Sequence, residues 1–413
     1  MVEKRLNDYN PVVGSVAISQ LQQLAKSLKG ARVVHVNSTR EGGGVAEILN
    51  WLVPLMNDLG LEASWEVIEG DPDYFHVTKS FHNGLQGTPV GLTRANFKAY
   101  EDTNAKNAER LRPILEEADF VFIHDPQPAF QFPLCKNRKG KWIWRCHIDV
   151  SHPNRRVWSY LRKIVAPYDA SIFSMPDFAR RMEHPQFIIA PSIDPLSDKN
   201  IELQDREIAT VLEQFGISRN LPIITQVSRF DRFKDPLGVI QAFDMLNGSV
   251  DAQLVLAGGG ATDDPEGAAV LQEVRNAAEG RDNIFILMLP PDAHRTINAL
   301  QRASTIVMQK SLQEGFGLTV TEAMWKSKPV IAGNVGGIRL QVYNHHTGFR
   351  VNTPEGAALR MRELLRDPDG CAAMGATSRA FVAQNFLLNR HLREYLTLML
   401  GLRRGLDSLR LAV

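Results

Sequence analysis

Glu314 and Glu322 stand either side of Gly315-Phe316-Gly317-Leu318-Thr319-Val320-Thr321, a glycine-bearing turn between an apolar run (Thr305–Gln309) and a stretch of helical period (Leu318–Trp325). Glycines let the backbone close tightly there, and the first N–H groups of the new helix have no partners within it. One carboxylate before the turn and one inside the helix can serve different parts of one ligand. Ionised carboxylates accept from paired hydroxyls, as an acidic residue takes a ribose diol. The blander reading of Glu322, an acid on a helix surface, sits poorly with the Gly-Phe-Gly context.

A second group is Ser228-Arg229-Phe230-Asp231-Arg232-Phe233-Lys234, straight after the apolar run Ile223–Val227. Arg229 brings a planar fork of donors and Lys234 a compact charge, and the two together can grip a diphosphate. Taken alone, they could equally be exposed basic residues without a ligand. A third is Glu41-Gly42-Gly43-Gly44-Val45-Ala46-Glu47, between Ala31–Asn37 and a helical stretch over Val45–Leu59. Gly43 and Gly44 allow close approach of a ligand to the backbone, and the helix start offers N–H groups to an anion or a sugar. This is not the dinucleotide fingerprint, because Glu47 holds the third glycine position. A plain strand-to-helix turn remains the alternative.

These groups must be positioned by the elements around them. Short β-branched runs at 31–37, 120–124, 142–147 and 170–173 alternate with helical stretches, which implies a parallel sheet covered on both faces. Pro191-Ser192-Ile193-Asp194-Pro195 reads as a connection. Strands then recur at 223–227, 253–257, 284–287, 305–309 and 329–332 after a helix at about 203–215, and the tail from about 371 is helical. The expected architecture is α/β: two Rossmann-like, doubly wound parallel-sheet domains facing across a cleft, with ligands at the carboxyl ends of the strands. The domains are expected at 1–193 and 194–375, with helices at 376–413 crossing back to the first.

The chain of 413 residues suits two domains, and 44% hydrophobic with 23% charged residues is a globular balance. Lys+Arg (47) and Asp+Glu (46) nearly cancel, which gives no general basic surface for nucleic acid or membrane. Cys135, Cys146 and Cys371 have no metal-ligand spacing and fit a reducing compartment. The polar start lacks a signal-peptide core, and no apolar run nears the roughly 20 residues that span a bilayer. A cytoplasmic protein is expected, and the Leu-rich tail leaves room for a homodimer.

Arg229 with Lys234, followed by Glu314 with Glu322, resembles the donor site of the retaining GT-B glycosyltransferases of family 4. Closer still, His35-Val36-Asn37-Ser38-Thr39, Gly42–Leu49, His124-Asp125-Pro126-Gln127-Pro128, Trp144-Arg145-Cys146-His147-Ile148-Asp149, Gln226–Asp231 and Glu314–Trp325 resemble the trehalose glycosyltransferring synthases, with trehalose phosphorylases as relatives. The resemblance implies that Arg229 and Lys234 neutralise a departing diphosphate. It implies that Glu322 holds ribose hydroxyls and Glu314 those of the donor glucose. The backbone at Phe316, Gly317 and Leu318 would add donors, and Gly43 and Gly44 would approach the phosphates. It also implies that His147 contacts the donor sugar near the reacting carbon, with Asn37, Asp125, Arg145 and Asp149 on the acceptor side. One departure stands out: Asp235-Pro236 follows Lys234, where many relatives carry glycine.

The resulting expectation is transfer of glucose from a UDP-, ADP- or GDP-glucose to the anomeric hydroxyl of glucose, giving α,α-trehalose, reversibly. The acceptor would attack from the face the diphosphate leaves, with no carboxylate nucleophile of the glycosidase kind. No Asp-x-Asp stands where it would hold a metal-bound diphosphate, so no essential metal or cofactor is expected. The partners are small molecules: nucleotide-diphosphate glucose, glucose and trehalose. Three alternatives stay open: a trehalose phosphorylase on the same fold, a transferase with another acceptor, and a sugar-nucleotide binder without catalysis.

Overall fold

The computed structural model describes residues 4–41, 43–246, 250–259 and 265–405, and Gly42 of the glycine loop lies outside the described residues. The chain divides into two compact units, Met1–Pro191 joined by Leu388–Val413, and Ser192–Leu387. The sequence reading drew these divisions at 193/194 and 375/376. The helix Pro368–Asn385 lies wholly in the second unit, packed along the helix Leu318–Trp325.

Each unit is built on a six-stranded sheet in which every pairing is parallel. The first contains β1 (Arg32–Asn37), β2 (Glu62–Val67), β3 (Phe120–His124), β4 (Lys141–Arg145), β5 (Ala170–Phe173) and β6 (Gln186–Ile188), in the order β2-β1-β3-β4-β5-β6. The second contains β7 (Ile223–Val227), β8 (Gln253–Gly258), β9 (Ile284–Met288), β10 (Ile306–Gln309), β11 (Val330–Gly333) and β12 (Gly348–Val351), in the order β12-β11-β10-β7-β8-β9. The chain winds outward from β7 through β8 to β9, then returns to the other side of β7 as β10. The order therefore reverses between β7 and β10, and between β1 and β3 in the first sheet. Such reversals open a crevice beyond the carboxyl ends of the strands.

The β-branched runs become central strands because both faces are covered. Ile224, Leu254, Leu256, Ile306 and Met308 enter one core, while Ile223, Val255 and Ala257 enter the other. Burying each such aliphatic side chain contributes about 1.5–3 kcal/mol before entropy is counted. Strand β4 ends two residues earlier than its apolar run, because the His147 N–H turns out of the ladder to donate to Asp125 Oδ1 at 2.7 Å. Among the described residues, no helix is long and apolar enough to cross a membrane.

Candidate active site

In the second unit, the loops leaving β7 and β10 meet at the reversal point. Lys234 ends a short 3-10 turn (Arg232–Lys234), and its Nζ lies 2.6 Å from Glu314 Oε2. Ser311 Oγ donates to the same carboxylate oxygen at 3.2 Å, and Leu312 N–H donates to Phe233 C=O at 2.7 Å, tying the two loops together. Gln226 Nε2 reaches back to the Lys234 carbonyl at 2.8 Å. Arg229 is placed differently. Its side chain is 65% exposed and, among the described residues, pairs only with the nearby Asp231, at 3.5 Å, so it stands at the mouth of the crevice.

The loop after Lys234 resolves the departure seen in the sequence. Asp235 adopts φ 51°, ψ 52°, the left-handed region that glycine enters without cost. Its carboxylate then caps the helix Pro236–Asp244 by accepting from Gly238 N–H at 3.1 Å and pairs with the buried Lys310 ammonium. Aspartate tolerates this conformation better than most residues, and its cap and ion pair offset the remaining strain. Pro236 at the first helical position has no N–H to leave unsatisfied.

Gly317 has φ 85° and opens the helix Leu318–Trp325; a Cβ on it would stand 3.2 Å from Glu314 Cγ. Beyond β11, Gly336 (φ 47°) and Gly337 press against the same loop, and Gly337 N–H donates to Gly315 C=O at 3.1 Å. Gln341 accepts from Thr321 Oγ1 and donates to Phe316 C=O, both at 2.6 Å. The turn carrying Glu314 is thus fixed by the loops after both strands that flank β10, β7 and β11.

Glu322 is 2% exposed, with Lys199 Nζ 3.9 Å from its Oε1. Lys326, one helical turn on, is also buried; its Nζ donates to Glu322 C=O at 3.0 Å and to Asn200 Oδ1 at 3.1 Å. Burial brings the Lys326 ammonium down to about 7, against the pull of the nearby Glu322 carboxylate.

In the first unit, Gly43 (φ 83°) is exposed at the start of the helix Gly44–Asp58. Asn37, at the end of β1, spends both ends of its amide on protein groups: Nδ2 donates to Thr39 C=O and Oδ1 accepts from Trp65 Nε1, each at 2.8 Å. Asp125 follows β3 with φ 61°, receives the His147 N–H, and donates its own N–H to Arg145 C=O at 2.8 Å. Burial pushes its carboxyl up to about 7, with the His147 N–H and Arg145 pulling the other way. Arg145 is wholly buried; among the described residues its Nε and Nη1 have no hydrogen-bond partner, and Nη2 makes a long contact of 3.5 Å to Ser174 Oγ. Asp149 Oδ1 accepts from the Ser151 N–H and hydroxyl, which shapes the loop beyond β4. His147 is partly exposed, and its Nε2 lies 3.0 Å from His124 Nδ1.

The structure thus joins Lys234 to Glu314 directly and gathers His147, Asp125 and Arg145 into one cluster. It sets Arg229 at a rim and Glu322 in the interior. Asn37 and Arg145 lie behind the surface, and Asp149 organises a loop. Lys199, Lys326, Gly336, Gly337, Gln341, His35, His124 and His391 were missed in the sequence. A readable signal existed for His35 and His124, buried polar rings flanked by apolar strand residues (Val-Val-His-Val and Phe-Val-Phe-Ile-His). Among the described residues, no group of three or more His, Cys, Asp or Glu is placed to hold a metal ion.

Residues 35–180 match the family model described as trehalose synthase, N-terminal domain, and residues 208–381 match glycosyl transferases group 1. The chain is 45% identical over 403 residues to the trehalose synthase of Thermococcus litoralis, covering 96% of this chain and 97% of that protein. To the trehalose synthase of Rubrobacter xylanophilus it is 44% identical over 401 residues, covering 96% of each. The fold is similar to the solved α,α-trehalose-phosphate synthase (UDP-forming) of Burkholderia xenovorans in complex with glucose-6-phosphate. That likeness has a TM-score of 0.73 at 15% identity and covers 90% of this chain and 100% of that one.

Proposed function

The chain belongs to the trehalose synthase family of glycosyltransferases, with the GT-B fold and the trehalose-related glycosyl transfer of a hexosyltransferase, and on that footing we propose the following reaction. Glucose passes from a nucleotide-diphosphate glucose to the anomeric hydroxyl of a second glucose, with retention, giving α,α-trehalose, and the reaction runs in both directions. The observation that carries this reading is the Lys234–Glu314 contact at 2.6 Å, with Arg229 on the loop that carries Lys234. A cation and an acid in contact at a crevice suit a diphosphate beside sugar hydroxyls.

In this reading Arg229 and Lys234 neutralise the leaving diphosphate, helped by N–H groups at Phe316, Gly317 and Leu318 and by the positive end of the helix Leu318–Trp325. Such preorganised charge costs little reorganisation as the bond breaks, and no essential metal is required. Glu314 takes hydroxyls of the donor glucose and Glu322 those of the ribose. The backbone at Gly43 and Gly44 meets the phosphates. The acceptor hydroxyl attacks on the face the diphosphate leaves, and a phosphate oxygen of the leaving group takes its proton. His147 meets the donor sugar near the reacting carbon. Asp125 and Asp149 shape the acceptor side, with Asn37 and Arg145 acting through their neighbours. The compartment proposed for this chemistry is the cytoplasm.

The test is the reverse reaction. Trehalose supplied with UDP or ADP should give the corresponding nucleotide-diphosphate glucose. Glucose 1-phosphate formed from trehalose and inorganic phosphate, with nothing from the nucleotides, would instead make the protein a phosphorylase.

A further inference from the structure

Three imidazoles form a hydrogen-bonded chain in the first unit, from His35 in β1 through His124 at the end of β3 to His147 beyond β4. His35 Nδ1 lies 3.0 Å from His124 Nε2, and His124 Nδ1 lies 3.0 Å from His147 Nε2. Adjacent parallel strands bring them into line, since His35 pairs in register with Phe122, two residues before His124. The inner end is closed by rings: His35 stacks on Phe122 at 4.8 Å, and Tyr395 of the helix Leu388–Arg404 lies 6.1 Å away. At the outer end, no group among the described residues bonds to His147 Nδ1, and that ring is partly exposed.

Each contact needs one N–H and one lone pair, and a neutral imidazole carries one of each. Two neutral arrangements therefore satisfy both contacts, and in each of them all three rings are the same tautomer. In the first, every N–H is on Nε2 and points inward, from His147 to His124 to His35. In the second, every N–H is on Nδ1: His35 donates to His124, His124 donates to His147, and His147 Nδ1–H points outward.

The closed end separates the two. His35 Nε2 is buried and has no hydrogen-bond partner among the described residues. The inward arrangement would place an orphaned N–H there, at a cost of roughly 1–3 kcal/mol and of a kind rare in native proteins. The outward arrangement leaves only an unfilled lone pair. Charging the chain is disfavoured as well, first by burial of the rings and then by the wholly buried Arg145 guanidinium, which acts on His124 and His147. Burial holds His35 down to about 3, and burial with Arg145 holds His147 well below the ordinary imidazole value.

We infer that His35 and His124 are positioning residues that hold His147 as its Nδ1–H tautomer, so that it meets a sugar or phosphate oxygen of the substrate as a hydrogen-bond donor. This deepens the transfer reaction proposed above and rests on it for the identity of the ligand. A solvated neutral histidine side chain leans towards Nε2–H, so an all-Nδ1–H chain is a state only the fold imposes. Lining up the donor before substrate arrives avoids reorganisation during the reaction.

The experiment is long-range ¹H–¹⁵N correlation on the full chain labelled with ¹⁵N-histidine, which tells the tautomers apart. The expected result is Nδ1–H for His35, His124 and His147 in the unsubstituted protein, with His147 moving to mostly Nε2–H in His124→Phe. Nε2–H at His147 in the unsubstituted protein overturns the inference, and so does an unchanged His147 tautomer in a folded His124→Phe. If that variant does not fold, the unsubstituted spectrum still decides. The tautomers are read without substrate, whereas the transfer reading fails separately, if no glucosyl donor is turned over.

Discussion

Lys234 and Glu314 are 80 residues apart in sequence, yet their charged groups lie 2.6 Å apart because β7 and β10 are neighbours where the order of the second sheet reverses. If both serve one donor molecule, their losses should not add. Lys234→Ala and Glu314→Gln should each lower kcat by about 10²–10³, the usual cost of one preorganised stabilising group. The double variant should fall well short of the product of the two losses. Steady-state kinetics on the four proteins of the cycle measures this, and strict additivity would separate their roles.

Arg229 is exposed, and among the described residues its side chain pairs only with Asp231. Its proposed work is confined to the leaving group. Arg229→Ala should lower turnover of a nucleotide-diphosphate glucose by about 10² or more. The loss should shrink for glucosyl fluoride, whose small leaving group needs no diphosphate grip. Equal losses on both donors would remove Arg229 from that role.

Two glycines with positive φ should respond differently to alanine. Gly336 has φ 47°, and a Cβ there would stand 1.6 Å from Glu314 C=O, a backbone atom that cannot step aside without moving Glu314. Gly43 has φ 83°, with nothing within 4 Å of its Cβ position. Gly43→Ala should cost about 1–3 kcal/mol of strain, since φ 83° with ψ 157° is a region essentially only glycine enters, and lower Tm by a few degrees. Gly336→Ala should lower Tm further and raise KM for the donor. Thermal melts and donor titrations of the two variants make the comparison.

The first unit should be sensitive to acid. His35, His124, His147 and His391 are all held below the ordinary imidazole value, first of all by burial. Between about pH 4 and 6.5 the unfolded chain binds protons on these rings that the folded one does not, so stability rises with pH. Asp125 works against this. Its folded carboxyl, pushed up to about 7, keeps a proton that the unfolded chain has lost above about pH 4, so its contribution falls as pH rises. Four rings lowered by burial outweigh one raised acid, so the net effect is stability that rises with pH. Urea unfolding from pH 5 to 7 should show stability climbing, and a flat profile would contradict the buried neutral chain.

Much of this fold was legible in the sequence because its strands are continuous apolar runs: Phe120–His124, Ala170–Phe173 and Ile223–Val227 were read with the bounds they have. Strands β2, β6 and β12 were not. β2 (Glu-Ala-Ser-Trp-Glu-Val) is an edge strand with one fully buried position, β6 has three residues, and β12 opens on a glycine. The Lys234–Glu314 contact could not be read, because it depends on strand order, which local pattern does not encode. Asp235-Pro236 was read as a departure from the glycine many relatives carry after Lys234, but how Asp235 takes the left-handed conformation and caps the next helix was not legible. Glu322 was placed in its helix, but the buried Lys326 and Asn200 beside it were not foreseen. The imidazole chain was missed because its members come from three separate strands.

The central claim is transfer of glucose from a nucleotide-diphosphate donor to glucose with retention. Its most direct test is ¹H NMR of the product formed from UDP- or ADP-glucose and ¹³C-labelled glucose, with nucleotide release followed in the same tube. The expected product is a single disaccharide, α,α-trehalose, with one labelled ring and one nucleoside diphosphate released per molecule formed. A β-configured linkage at the transferred glucose, or no disaccharide from any nucleotide-diphosphate glucose, would contradict it.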